Sequence, residues 1–239
     1  MPKRPNPFIK GLIPTLNQRG FMLEALDDYS LRFAAFAGTV DSEVLDMGCA
    51  YGNATRAALE NGARVLASDM DAGHLEILMQ ETPETFHDRL RTAVGVLPGV
   101  NFPEKSFGAI LCSRVLHFLL ADEFRASIEK MHEWMIPGGK LFLIADSPYS
   151  GFWFSAAPEY ERRKAEGEEW PGFLEDVSGL LPNKTLPDGM LPYLNPLDPD
   201  ILSRECERVG FVVEQAEFFG REGKGEGRDH AGLIAVKPD

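Results

Sequence analysis

Val44-Leu45-Asp46-Met47-Gly48-Cys49-Ala50-Tyr51-Gly52-Asn53-Ala54-Thr55 decides how this chain folds. Two apolar residues run into an acid, then into a glycine-rich turn, and a helical run to Glu60 follows at once. The pattern predicts a short buried strand, a tight turn and a helix N-terminus. Such a junction presents unpaired backbone N–H groups and the positive end of a helix dipole. It suits the polar end of a nucleotide-like ligand. Glycine at 48 and 52 lets a ligand approach the backbone and permits positive φ. Alanine tolerates that region poorly, so Ala50 is expected at negative φ.

Downstream of the turn, apolar runs alternate with helical stretches. Val65-Leu66-Ala67 reads as a second strand ending at Asp69, 21 positions after Gly48. An acid at that strand end can accept hydrogen bonds from two adjacent ribose hydroxyls. As an exposed strand-end group it is expected to matter little for stability. Asp71 reads as the cap of a helix from Ala72 to Gln80. A third strand is predicted over Thr92–Leu97. A fourth enters through Asn101-Phe102-Pro103-Glu104-Lys105-Ser106-Phe107-Gly108 and reaches Ser113, before Arg114-Val115-Leu116-His117-Phe118. Asp122 is expected to cap an amphipathic helix carrying Phe124, Ile128, Met131 and Trp134 on one face. Pro137-Gly138-Gly139 ends it, and a fifth strand covers Lys140–Asp146.

Asp46-Met47-Gly48-Cys49-Ala50-Tyr51-Gly52 resembles the first motif of class I S-adenosylmethionine-dependent methyltransferases, of the small-molecule kind. The middle glycine of that motif is Ala50 here. The segment from Phe102 to Phe107 is similar to the family's loop into the fourth strand, with Gly108 in place of an acid. Val115-Leu116-His117 is similar to its segment after that strand. The resemblance covers roughly residues 40 to 146. It implies a Rossmann-like α/β sheet of seven strands, the last antiparallel, with helices on both faces. It implies S-adenosylmethionine as cofactor, held by Gly48, Cys49, Ala50, Gly52, Asp69, Met70, Leu97 and Ser113. Many members place an acid after the third strand to face the adenine; Gly95, Val96 and Leu97 offer none. Adenine would then rest on apolar and backbone contact near Leu97. His117 is the candidate catalytic residue, as a general base or acceptor contact. The same histidine could instead anchor its own turn by hydrogen bonding, which is the commoner role.

The rest of the chain sets limits. A net charge of −13, from 24 Lys+Arg against 37 Asp+Glu, argues against a broad nucleic-acid face. Cys49, Cys112 and Cys206 are odd in number and scattered, which predicts a reduced, cytoplasmic protein. The histidines and cysteines show no metal-ligand spacing. No apolar segment is long enough for a membrane, and no secretory signal is evident. The length fits one domain over 1–239, with an N-terminal arm and helix over 1–38. Residues 1–12 are expected to be an unstructured leader, the alternative being an arm over the ligand site. Phe21, Leu23, Leu26, Tyr29, Phe33 and Phe36 predict one helix over 21–37.

Residues 147–197 change character, with seven prolines and eight aromatics, Phe152 among them. Inserted after the fifth strand, they are expected to form a lid for the methyl acceptor; the alternatives are a structural excursion or a homodimer contact. Asp198-Pro199 opens a last helix, and two final strands flank the loop Gly220–Gly227. The expected activity is methyl transfer to a small molecule, with no nucleic acid or membrane as partner. A non-catalytic cofactor binder is the alternative, and a nicotinamide oxidoreductase fits less well because Gly48-x-x-x-Gly52 is not Gly-x-Gly-x-x-Gly.

Overall fold

The computed structural model describes residues 2–7, 11–151, 153–181, 184, 186, 189–220 and 225–239. Phe152, Pro182, Pro187 and the tip of the Gly220–Gly227 loop at 221–224 lie outside the described residues.

Side chains along a strand alternate between faces, and this chain uses that alternation to build two apolar layers on one sheet. Strands β3 (Glu43–Met47), β4 (Val65–Asp69), β6 (Phe107–Ser113) and β7 (Met135–Asp146) are buried on both faces. Val44, Val65, Ala109 and Phe142 turn one way, against Phe33, Ala37, Leu59 and Leu78. Those partners come from α1 (Asp28–Ala37), α2 (Asn53–Glu60) and α3 (Ala72–Glu81). Leu45, Leu66, Ile110 and Leu141 turn the other way, against Phe124, Ile128, Trp134 and Leu202. These sit on α4 (Ala121–Trp134) and α6 (Pro199–Arg208). A strand buried on both faces reads as a continuous apolar run, as these do.

With β5 (Leu90–Val94), β8 (Val212–Phe219) and β9 (His230–Val236), the sheet has seven strands in the order β5-β4-β3-β6-β7-β9-β8. β9 runs antiparallel to both its neighbours; the pairings among β5, β4, β3, β6 and β7 are parallel. The order reverses at β3, so the carboxyl ends of β4, β3 and β6 border the crevice where such sheets bind ligands.

Several elements depart from the sequence reading. Residues 21–37 are not one helix: β1 (Leu12–Pro14) and β2 (Phe21–Leu23) pair as a hairpin, and α1 starts only at Asp28. Asp27 fixes that start, its side chain accepting from the Ser30 N–H at 2.9 Å. A cap at 27 outweighs apolar periodicity that continues upstream of it. α4 begins at Ala121 rather than under an Asp122 cap; the Glu123 side chain reaches back to the Leu120 N–H at 3.0 Å. The third strand ends at Val94. Residues 2–7 are not a free leader: Arg4 pairs with Glu81 and lies over the Tyr51 ring at 5.3 Å.

The insertion after β7 is a folded excursion carrying α5 (Ala157–Ala165). Trp153 is buried with Val177 and Leu194, and Tyr149 with Tyr160. Backbone bonds from Asn195 to the His117 carbonyl and from Leu197 to the Asp146 carbonyl seat it on the ends of β6 and β7.

Gly232 of β9 faces α1, and a methyl group there would fall inside contact distance of the Tyr29 ring. Gly232→Ala is expected to lose roughly 1–3 kcal/mol of stability by overpacking, measured by urea denaturation. An unchanged midpoint would show that α1 is not held against β9.

Candidate functional site

The glycine turn is built by the strand beside it. The N–H groups of Gly48 and Cys49 both donate to the Ser68 carbonyl, at 2.7 and 3.1 Å. The Ala50 N–H donates to Asp69 Oδ2 at 2.8 Å, and the Gly52 N–H to the Cys49 carbonyl at 2.8 Å. These four donors serve the protein itself, so the turn is not the row of free amides the sequence suggests. Gly48 and Gly52 have φ of +78° and +77°. Ala50 has φ +46°, contrary to the expectation of a negative value. Reaching the Asp69 carboxylate holds Ala50 in the left-handed region, at a cost of about 1–2 kcal/mol.

Asp69 is buried rather than exposed. Besides Ala50, its carboxylate accepts from the Asp71 N–H at 2.9 Å and contacts His74 Nδ1 at 2.9 Å. The Leu16 N–H donates to His74 Nε2 at 2.9 Å. With Nε2 accepting, the proton sits on Nδ1 and His74 donates to Asp69. Asp71 caps α3 as the sequence reads, through the Gly73 N–H at 2.8 Å. A carboxylate offers about four lone-pair sites, so three internal donors still leave Asp69 room for a hydroxyl.

The N-terminal hairpin covers this region. The Tyr51 hydroxyl donates to the Pro14 carbonyl at 2.7 Å, and Asn53 Nδ2 to the Leu23 carbonyl at 3.0 Å. Ile13 packs with Tyr51 and Ile77.

Beyond Asp69, Met70, Val94 and Val96 leave large apolar side chains in water, at 40, 62 and 50% exposure. Asp69 and Val94 are register partners, so this surface borders the carboxylate. Leu97, by contrast, is buried in the core cluster beside Leu66. The sequence reading looks to Gly95, Val96 and Leu97 for an acid and does not single out Val94 as an apolar surface. The signal was a Val-x-Val alternation at a strand end.

Asp46 lies buried beneath the turn and accepts from Thr55 Oγ1 at 2.6 Å. Burial pushes its pKa up to about 6; the Thr55 hydrogen bond opposes that and the Asp69 charge adds to it. Burial likewise pushes the Cys49, Cys112 and Cys206 thiols up, so none is an activated nucleophile.

On the other side of the turn, Ser113 ends β6 and Arg114 follows at φ +58°. The Arg114 N–H donates to the Ile144 carbonyl at 2.7 Å, while Nη1 reaches Asp27 Oδ2 at 2.8 Å and Ser113 Oγ at 3.1 Å. Burial works against the Asp27 charge, but Arg114 beside it holds the carboxyl below its ordinary value.

His117 sits in a short 3₁₀ turn, buried, and its Nδ1 accepts from the Asp146 N–H at 3.0 Å. Burial pushes its pKa down to about 4. The lone pair on Nδ1 is therefore spent on anchoring the end of β7. A second histidine, which the sequence reading passed over because it lies in a distant segment, stands nearer to carboxylate chemistry. His230 Nδ1 lies 3.2 Å from Asp146 Oδ1, across the β7–β9 pairing where the two are register partners. Burial works against the Asp146 charge, yet His117 and His230 hold it below the carboxylate range. Among the described residues no group of His, Cys, Asp and Glu could hold a metal, and no helix is long and apolar enough to cross a membrane.

Comparison with known proteins agrees with this architecture. Residues 45–143 match a family described as "Methyltransferase domain". No curated protein sequence matches. Among solved structures, a S-adenosylmethionine-dependent methyltransferase from Mesorhizobium loti superposes with a TM-score of 0.61 at 18% identity, over 87% of this chain and 95% of that one. The glycopeptide N-methyltransferase MtfA with S-adenosyl-L-homocysteine gives 0.60 at 21%, over 90% and 91%. The 1,6-didemethyltoxoflavin-N1-methyltransferase of Burkholderia thailandensis gives 0.57 at 16%, over 89% and 79%. Residues 45–143 thus match a methyltransferase domain, and the chain shares the class I fold of these structures. Enzymes of that class take their methyl group from S-adenosylmethionine.

Two substitutions test the turn. Asp46 has a folded pKa above its unfolded value of about 3.8. Its contribution is therefore full below pH 4 and is lost as pH rises through about 6. Asp46→Asn keeps an acceptor for Thr55 and removes that loss. Its advantage over the parent is expected to grow between pH 4 and pH 6 and then level off, at roughly 2–3 kcal/mol from two pH units. Denaturation curves across that range would show a flat difference if Asp46 titrated normally. Asp69→Ala should cost stability as well as ligand affinity, about 1–3 kcal/mol for each donor left unpaired. A variant as stable as the parent would mean that the turn finds other acceptors.

Proposed function

We propose that this protein transfers a methyl group from S-adenosylmethionine to a small-molecule acceptor. The observation that carries the reading is the meeting of Asp69 with the exposed Met70, Val94 and Val96 beside a glycine turn. A carboxylate with a spare lone pair suits a ribose hydroxyl, and adjoining apolar side chains suit a purine face. The residues present fit the cofactor on these grounds, with one change of emphasis. Apolar contact from Met70, Val94 and Val96 replaces the side chain of Leu97, and Gly48, Cys49, Ala50 and Gly52 supply shape rather than free donors. Ser113 adjoins Arg114 at the methionine end.

When bound, S-adenosylmethionine supplies an already activated methyl group. The protein's own task is then alignment and exclusion of water. The hairpin over residues 11–23 closes one side of the site. The insertion over 147–197 closes the other and serves as the acceptor lid, seated by Asn195 on the His117 carbonyl and by Leu197 on Asp146. Where the acceptor sheds a proton, His230 is the residue to receive it, because its Nδ1 lies 3.2 Å from Asp146 Oδ1 at the carboxyl edge of the sheet. His117 serves that reading as an anchor, its Nδ1 already occupied. Three buried thiols without a partner suit a reducing, cytoplasmic setting.

Thermal denaturation with ligands tests the cofactor. S-adenosylhomocysteine at about a hundred times its Kd should stabilise the fold by roughly 2.7 kcal/mol, and NAD should not. A shift with NAD alone would reverse the assignment. Labelled methyl passing from S-adenosylmethionine into small molecules of a cell extract separates an enzyme from a binder; binding without transfer would remove the catalytic claim.

A further inference from the structure

Arg114 is the most unusual residue at the carboxyl edge of the sheet. It is not glycine, yet its φ is +58°, and a strained residue of that kind persists only where the surroundings over-determine it. The strain aims a guanidinium into the fold at the junction of β6, β7 and α1. Its side chain keeps only 15% of its exposure. One nitrogen, Nη1, is matched by Asp27 and Ser113. Nε and Nη2 are out of contact with water and have no hydrogen-bond acceptor.

Buried donors without acceptors are rare and costly, the more so on a charged group. Nε and Nη2 also form one edge of the guanidinium, and a guanidinium edge matches the two oxygens of a carboxylate in a bidentate pair. Asp27 does not satisfy this edge, since its Oδ2 is bound to Nη1 and its Oδ1 to the Ser30 N–H. The other groups that feel the Arg114 charge are His117 and Asp146, on the β7 side, where the acceptor is expected. Asp146 is already engaged by His230.

We propose that Arg114 is a carboxylate-recognition residue of the transfer site, its Nε–Nη2 edge donating to an anionic ligand group. The proposal rests on the methyltransferase reading. Two ligands can bring that carboxylate: the methionine end of the cofactor, or an acceptor that is itself a carboxylic acid. The one-charge, two-oxygen chemistry is the same for both.

Calorimetry on the full chain and on Arg114→Gln separates them. S-adenosylhomocysteine carries the carboxylate, while 5′-methylthioadenosine has the same nucleoside and thioether without it. If the cofactor is the source, Arg114→Gln weakens S-adenosylhomocysteine at least tenfold and leaves methylthioadenosine unchanged. If the acceptor is the source, both nucleosides bind as before. Benzoate then raises the melting temperature of the parent's S-adenosylhomocysteine complex, benzamide does not, and the benzoate shift disappears in Arg114→Gln. Arg114→Lys retains a charge opposite Asp27 but loses the fork, and should fall between parent and Gln in either arm. It keeps the test interpretable if Gln unfolds. Unchanged S-adenosylhomocysteine affinity together with an unchanged or absent benzoate response overturns the proposal. Failure of the parent to bind either nucleoside would instead overturn the methyltransferase reading.

Discussion

The carboxylate of Asp69 accepts hydrogen bonds from Ala50, Asp71 and His74 at the same time. Through Ala50 it fixes the glycine turn, through Asp71 the entry to α3, and through His74 and Leu16 the N-terminal arm. The left-handed Ala50 is understandable only with this acceptor in place, because a neutral peptide amide gains most from a charged partner in a dry site. One side chain thus holds together three segments that are far apart in sequence, and it lies on the border of the crevice.

The opposite border follows a similar logic with the charges exchanged. Arg114 is a strained cation answered on one side by Asp27, which also caps α1. Asp146 is answered by His230 and supplies the backbone N–H that occupies His117. The site therefore has an acidic, internally bonded half toward β4 and a mixed half toward β7. Asp46 is buried between the turn and α2, where its ionisation costs stability as pH rises through about 6.

The insertion 147–197 connects these halves. Trp153 fills a satellite core with Val177 and Leu194. A cavity of about 540 Å³ is lined by Leu120, Asp122, Trp170 and Asn195 among others. The lid reading rests on how the excursion is seated on β6 and β7.

The sequence by itself determined the class of fold. Apolar runs of strand length, glycine punctuation and amphipathic helices are local signals, and the sheet needs little more. It also placed Asp69 and Ser113 at their strand ends, because a residue's distance along a strand fixes where it emerges. Tertiary structure decided what local pattern could not carry. Ala50 takes a positive φ because of an acceptor nineteen residues away. Phe21–Leu23 becomes a strand because β1 pairs with it, though its apolar spacing suits a helix. Leu97 turns inward and Val96 outward, a difference of one residue that only the end of β5 settles. His230 meets Asp146 across 84 residues, and the edge of Arg114 is left without an acceptor, because antiparallel register and the approach of α1 bring those groups together. Contacts between distant segments are set by packing, and a single sequence carries no local trace of them.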